Sequence, residues 1–260
     1  MWFSGWTVSF RTSIQAPRAT PVTGATPIER QQTCRSAPYE PNLPGPWVVT
    51  QVLQSLPKFG RVVVAVDGIG ASGKTTFATS LAEQAGARHA VLLHVDDYFN
   101  PADVRHARGR LSAEGFWLDT YNYPALISWA LEPLSHAGSG FYRPAAFDRA
   151  TGESTCPDLV TAPPDALVIV EGTFPHRDEL THFWDYSIFL DVPVDEADRR
   201  MTERGDLDKT LAPALLRRYN EAQSLYFACA QPWVRASVVI DNTDPTNPTV
   251  IQPAAAHAAH

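Results

Sequence analysis

Apolar residues along the chain fall into two kinds of pattern. Five short runs are apolar without alternation: RVVVAV (61–66), AVLLHV (90–95), ALVIVEG (166–172), YSIFLDV (186–192) and SVVID (237–241). Such runs, rich in β-branched residues, mark strands buried on both faces of a parallel sheet. The stretches around them carry helical spacing. Trp47, Val48, Val49, Val52, Leu53 and Leu56 form a leading helix that Pro57 and Gly60 end. Residues 75–86 place Phe77, Leu81 and Ala82 on one face, and 124–137 opens on a proline, a favoured first helical residue. The segments 176–184, 195–204 and 211–229 also read as helices, and 141–161 as a loop or β-hairpin. Alternating strands and helices predict an α/β fold with helices on both faces of the sheet.

Residues 1–45 show neither period. They are rich in proline, with Pro17, Pro21, Pro27, Pro38, Pro41 and Pro44, and cannot bury enough apolar surface to offset their ordering entropy. They are expected to be a flexible extension before a domain at 46–245, with 246–260 a disordered, alanine-rich tail. The opening MWFSGWTVSF is too short to span a bilayer and lacks the basic start of a signal peptide.

Composition narrows the functions available. A chain of 260 residues, 44% hydrophobic, suffices for one sizeable core. The net charge of −7 repels nucleic acid and anionic membranes, which favours a small-molecule partner. Three cysteines, Cys34, Cys156 and Cys229, lie too far apart for a zinc site and form no disulfide framework, so a reducing, cytoplasmic setting is expected.

The loop between the first strand and the second helix is DGIGASGKTT. Gly68, Gly73, Lys74 and Thr75 satisfy G-x-x-x-x-G-K-[ST] in the strand–loop–helix context that this motif requires. Glycine lets backbone N–H groups turn around a phosphate, and the helix start adds its positive dipole end. Residues Gly68, Ile69, Gly70, Ala71, Ser72, Gly73, Lys74, Thr75 and Thr76 are therefore expected to hold ATP. Lys74 would reach the β- and γ-phosphates, and the Thr75 hydroxyl would bind Mg2+. An N-K-x-D base-reading segment, usual in GTPases, is absent from the sequence.

The order of further short motifs resembles the uridine kinase-like family of small-molecule kinases, whose relatives act on pantothenate and ribulose phosphate. The resemblance covers residues 60–242 and implies a P-loop three-layer fold with a small lid and an acceptor-side hairpin. HVDDYFNP is similar to the segment whose first aspartate serves as base, which assigns that role to Asp96, with Asp97 as runner-up and Tyr98 beside the acceptor. YNYPAL is similar to F-D-H-P-x-A, placing Asn122 where the family has a ribose-binding aspartate, with Asp119 near it. RPAAFDRATGES is similar to the hairpin that walls the acceptor pocket and points to Phe147 and Asp148. VIVEGTF puts Glu171 at a strand end, where it would join Thr75 as a Mg2+ ligand. FLDVPVDEADRRMTERGD is similar to the lid helix, with Arg200 and Arg204 four residues apart on one face and aimed at the phosphates. The last turn puts Asn242 where the family borders adenine.

The resemblance implies ATP- and Mg2+-dependent phosphorylation of a hydroxyl, with a uridine- or cytidine-like nucleoside as leading acceptor. Pantothenate, a sugar phosphate or an antibiotic is the alternative acceptor. A non-catalytic ATP-binding regulator and an ATPase acting on a macromolecule are the competing classes. Expected partners are a small-molecule acceptor and, in a homo-oligomer, further copies of the chain. Arg105, His106, Arg108 and Arg110 make either a solvated loop face or an attraction for an anionic acceptor. Trp117, Tyr121 and Tyr123 suit stacking or core packing, and His94 reads as a packed core histidine.

Overall fold

The computed structural model describes residues 46–205 and 207–260. The expected extension at 1–45 lies outside the described residues. The chain begins with helix α1 (Pro46–Ser55), strand β1 (Val62–Gly68), α2 (Lys74–Glu83) and β2 (Ala90–His94). Short helices α3 (Ala102–Arg105), α4 (Ala113–Asp119), α5 (Tyr123–Leu126) and α6 (Glu132–Leu134) follow. Two small ladders come next, built from β3 (Phe141–Tyr142), β4 (Phe147–Asp148), β5 (Glu153–Ser154) and β6 (Val160–Thr161). The second half contains β7 (Leu167–Glu171), β8 (Tyr186–Asp191), α7 (Val194–Glu203), α8 (Ala212–Ala230), α9 (Pro232–Arg235), β9 (Val238–Asp241) and β10 (Thr249–Ile251).

The main sheet runs β10-β9-β8-β1-β7-β2, parallel except for the β10–β9 pair. Each of the five apolar runs is one of its parallel strands. β1 is buried along its whole length and divides its side chains between two cores. Val62, Val64 and Val66 pack with Phe77 and Leu81 of α2 and Val48 and Val52 of α1. Val63 faces the other way, into a core with Leu93, Val170, Leu126, Phe174 and Tyr226. That two-sided burial is why the run shows no polar alternation.

Three segments differ from the sequence expectation. The region 124–137 is helical but passes through a π turn at Ile127–Leu131. Pro133 has no N–H for the Trp129 carbonyl, which instead accepts from the Arg143 amide at 2.9 Å. The helix expected at 176–184 shrinks to a single turn, Thr181–Phe183. At the head of the segment the His176 amide donates to the Tyr226 hydroxyl at 2.9 Å. The tail expected to be disordered is instead ordered from β10 through two short turns. Ala256 is fully buried against Phe189 and Val239, and the amides of His257 and Ala258 donate to Asp191 at 2.6 and 3.1 Å.

Candidate active site

The carboxyl ends of the adjacent parallel strands β1, β7 and β2 lie side by side, at the edge where ligands bind in open parallel sheets. β1 reaches it through Asp67, whose Oδ1 accepts from the Gly68 amide at 2.6 Å. A Cβ on Gly68 would lie 2.7 Å from the Leu190 carbonyl oxygen, so no side chain fits at the loop's first residue. Gly73 closes the loop in the left-handed region, φ 92°, at the start of α2. A Cβ there would lie 2.7 Å from Asn242 Nδ2. Asn242 is buried and donates to the Ser72 carbonyl at 2.7 Å, so its side chain braces the loop from behind.

Lys74 curls over the loop and donates to the carbonyls of Gly68 and Ile69 at 2.9 and 2.7 Å. Burial pulls its pKa down, while Glu171, Asp67 and Asp96 pull the other way. Thr75 is exposed, Thr76 half-buried, and the Thr75 hydroxyl donates to Glu171 Oε1 at 3.0 Å. The register explains this meeting: Glu171 pairs with Val66 on one side and His94 on the other. His94 Nδ1 lies 2.6 Å from the same oxygen. His94 is therefore part of the site and not a packed core residue, a correction that strand register alone reveals. Burial pushes Glu171 up, yet His94 and Lys74 hold it below the usual carboxylate range. The same hydrogen bond raises His94.

On the acceptor side, Asp96 sits in the turn after β2 and accepts from the Tyr121 hydroxyl at 3.0 Å. Burial raises its pKa, with the Tyr121 hydrogen bond opposing. Asp97 points elsewhere, into an ion pair with Arg149 at 2.9 Å. Phe147 is buried edge-on to Phe99.

Four further expected acceptor residues have their polar groups engaged within the fold. Tyr98 is fully buried, and its hydroxyl donates to the Arg143 carbonyl. Asn122 caps α5, its Oδ1 accepting from the Ala125 amide at 3.0 Å. Asp119 accepts from Arg108 at 2.8 Å. Asp148 is exposed and closes its own turn through the Ala150 amide. Short polar side chains at helix and turn ends are held by local backbone donors, which a motif comparison does not register.

Of the two arginines expected in a lid, Arg200 reaches the loop from α7. Arg200 donates to Ala71 O at 3.4 Å, Asn242 O at 3.1 Å and Thr243 O at 2.7 Å, and pairs with Glu196. Arg204 lies close enough that its charge lowers the Lys74 pKa.

Sequence reasoning missed the cluster under the loop. Asp67 is fully buried, accepts from the Tyr226 hydroxyl and lies 2.7 Å from His176 Nδ1. An aspartate inside an otherwise apolar strand, VAVDG, was the available signal.

The loop fits a triphosphate, with glycines where a Cβ would collide and a lysine at its centre. The Thr75–Glu171 pair fits Mg2+, which keeps several waters and needs few protein oxygens. Among the described residues no group of three or more His, Cys, Asp or Glu could hold a metal on its own. No helix among them is long and apolar enough to cross a membrane.

No protein-family model matches the chain. It is 28% identical to mouse (Mus musculus) nicotinamide riboside kinase 1 over 183 residues, covering 64% of this chain and 82% of that protein. Its fold is similar to that of a possible uridine kinase from Bacillus stearothermophilus, with a TM-score of 0.59 and 21% identity, covering 74% of this chain and 95% of the other. The chain is thus similar in sequence to a small-molecule kinase, and its fold is like that of the uridine kinase neighbour.

Proposed function

We propose that the protein transfers the γ-phosphoryl group of ATP to a hydroxyl of a small molecule. The observation that carries this reading is the position of Asp96, a half-buried carboxylate close enough to Lys74 to raise the lysine's pKa and oriented by Tyr121. A phosphate loop alone suits hydrolysis as well as transfer; a carboxylate facing it supplies what transfer adds.

The loop amides and Lys74 hold the β- and γ-phosphates. Thr75 and Glu171 would hold Mg2+, which would supply positive charge to the phosphate oxygens. Asp96 takes the proton as the acceptor oxygen forms its bond to the γ-phosphorus and the bond to the β–γ bridging oxygen breaks. Arg200 and Arg204 offset the charge that gathers on the transferred group. A uridine- or cytidine-like acceptor has less support than the reaction itself, because Asn122 spends its oxygen on a helix cap. The exposed, unpaired Cys156 and Cys229 suit a reducing cytoplasm.

The test is a phosphoryl-transfer screen with ATP and Mg2+ against hydroxylated small molecules, read by product mass. A phosphorylated product lost in both Lys74→Ala and Asp96→Asn supports the reading. Steady hydrolysis without an acceptor, stimulated by nucleic acid or protein, overturns it in favour of an ATPase.

A further inference from the structure

Two buried arginines of this protein are fully partnered within the fold. Arg61 spreads its guanidinium over the carbonyls of Pro133, Ser135, Gly138 and Pro163, and Arg177 pairs with Glu179. Both are structural and both are satisfied. Arg218 is 9% exposed and Arg105 partly buried, yet the Nε of each is buried without a hydrogen-bond partner. Neither has a carboxylate partner among the described residues. Each rests on aromatic rings instead: Arg105 lies 4.9 Å over Phe99 and 5.1 Å over Phe147, and Arg218 4.6 Å over Phe116 and 5.5 Å over Tyr219.

The aromatic faces lead to the acceptor base. Phe99 stacks on Tyr121 at 5.3 Å, and Phe116 meets Phe174, which is edge-on to Tyr121 at 6.3 Å. Tyr121 in turn holds Asp96. Burial pulls the Arg218 pKa down and the Arg105 and Arg110 charges pull it further, so an arriving anion relieves a repulsion. Leaving a buried cation without a counter-charge is costly, and guanidinium groups match carboxylate and phosphate oxygens in pairs.

We infer that Arg105 and Arg218 form an anion-recognition subsite for the acceptor, so that the substrate carries a phosphate monoester or carboxylate besides the hydroxyl presented to Asp96. This rests on the kinase reading for the place of Asp96. Arg108 is excluded from the subsite because Asp119 and Glu114 already neutralise it.

Calorimetry on the full chain, saturated with a non-hydrolysable ATP analogue and Mg2+ so that the phosphate loop is filled, tests this with matched pairs. Ribose 5-phosphate against ribose reports on phosphate; pantothenate against pantothenol reports on carboxylate. In at least one pair the charged member should bind tenfold or more tightly than its neutral twin. Arg218→Gln and Arg105→Gln should abolish that preference and Arg218→Lys retain part of it, with affinity for the ATP analogue and Tm as controls for folding. Equal binding within both pairs, no binding by either charged compound, or a preference that survives both glutamine variants overturns the inference. The two readings fail separately. Charge-selective binding without phosphoryl transfer removes the kinase and leaves the anion site; efficient transfer to a neutral acceptor by Arg218→Gln does the reverse.

Discussion

Tyr121 donates its phenolic hydrogen to Asp96 across 3.0 Å, joining the turn after β2 to the start of α5. Burial holds the Asp96 carboxyl above its usual range, and this bond opposes the rise by favouring the ionised form. A base must be ionised to act. Activity should therefore climb with pH through the raised pKa and level off above it. Tyr121→Phe removes the opposing bond and should move that limb to higher pH, measured as the pH profile of kcat/KM.

Asp96→Asn keeps the shape of the side chain and removes its basicity. The expected loss in kcat is about 100- to 10,000-fold, the usual worth of a positioned base. ATP binding, measured separately by calorimetry, should stay within about twofold, because Asp96 does not touch the loop's backbone.

Gly73→Ala meets two obstacles. The left-handed backbone costs an alanine about 1–2 kcal/mol, and its Cβ would stand 2.7 Å from Asn242 Nδ2. ATP affinity should fall at least tenfold. Combining it with Asn242→Ala should recover the steric share and leave the backbone share, which a double-mutant cycle of ATP affinity resolves.

Tyr226→Phe strips the Asp67 carboxylate of a buried donor and the His176 amide of its acceptor. Urea unfolding should show a loss of about 1–3 kcal/mol. The equivalent change at Tyr219, on the same helix but without such partners, should cost less.

Removing residues 252–260 tests the ordered tail. Asp191, 1% exposed, would lose both amide donors, and Phe189 and Val239 would lose Ala256. Stability in urea should drop by about 2 kcal/mol or more. A disordered tail would leave it unchanged.

The sheet was legible because burial on both faces writes itself into the strands as uninterrupted apolar runs. The phosphate loop was legible because its residues are contiguous and each answers a local demand of backbone or charge. Glu171 could be read from its place at a strand end. Other features depend on facts no local window contains. His94 reaches Glu171 through the register of two strands 77 residues apart. Asn122 and Asp148 look like acceptor ligands until nearby amides claim them. The amide of His176, at the head of the segment 176–184, is held from α8, 50 residues later.

The Asp67 cluster also bears on how the protein comes into being. Its two side-chain partners lie 109 and 159 residues further along the chain. Contacts at such separations close late, since the intervening chain must first give up its freedom. A chain emerging from the ribosome will thus contain the whole loop sequence long before α8 arrives to steady its root. Nucleotide binding should be among the last properties to appear during refolding, lagging behind the recovery of secondary structure.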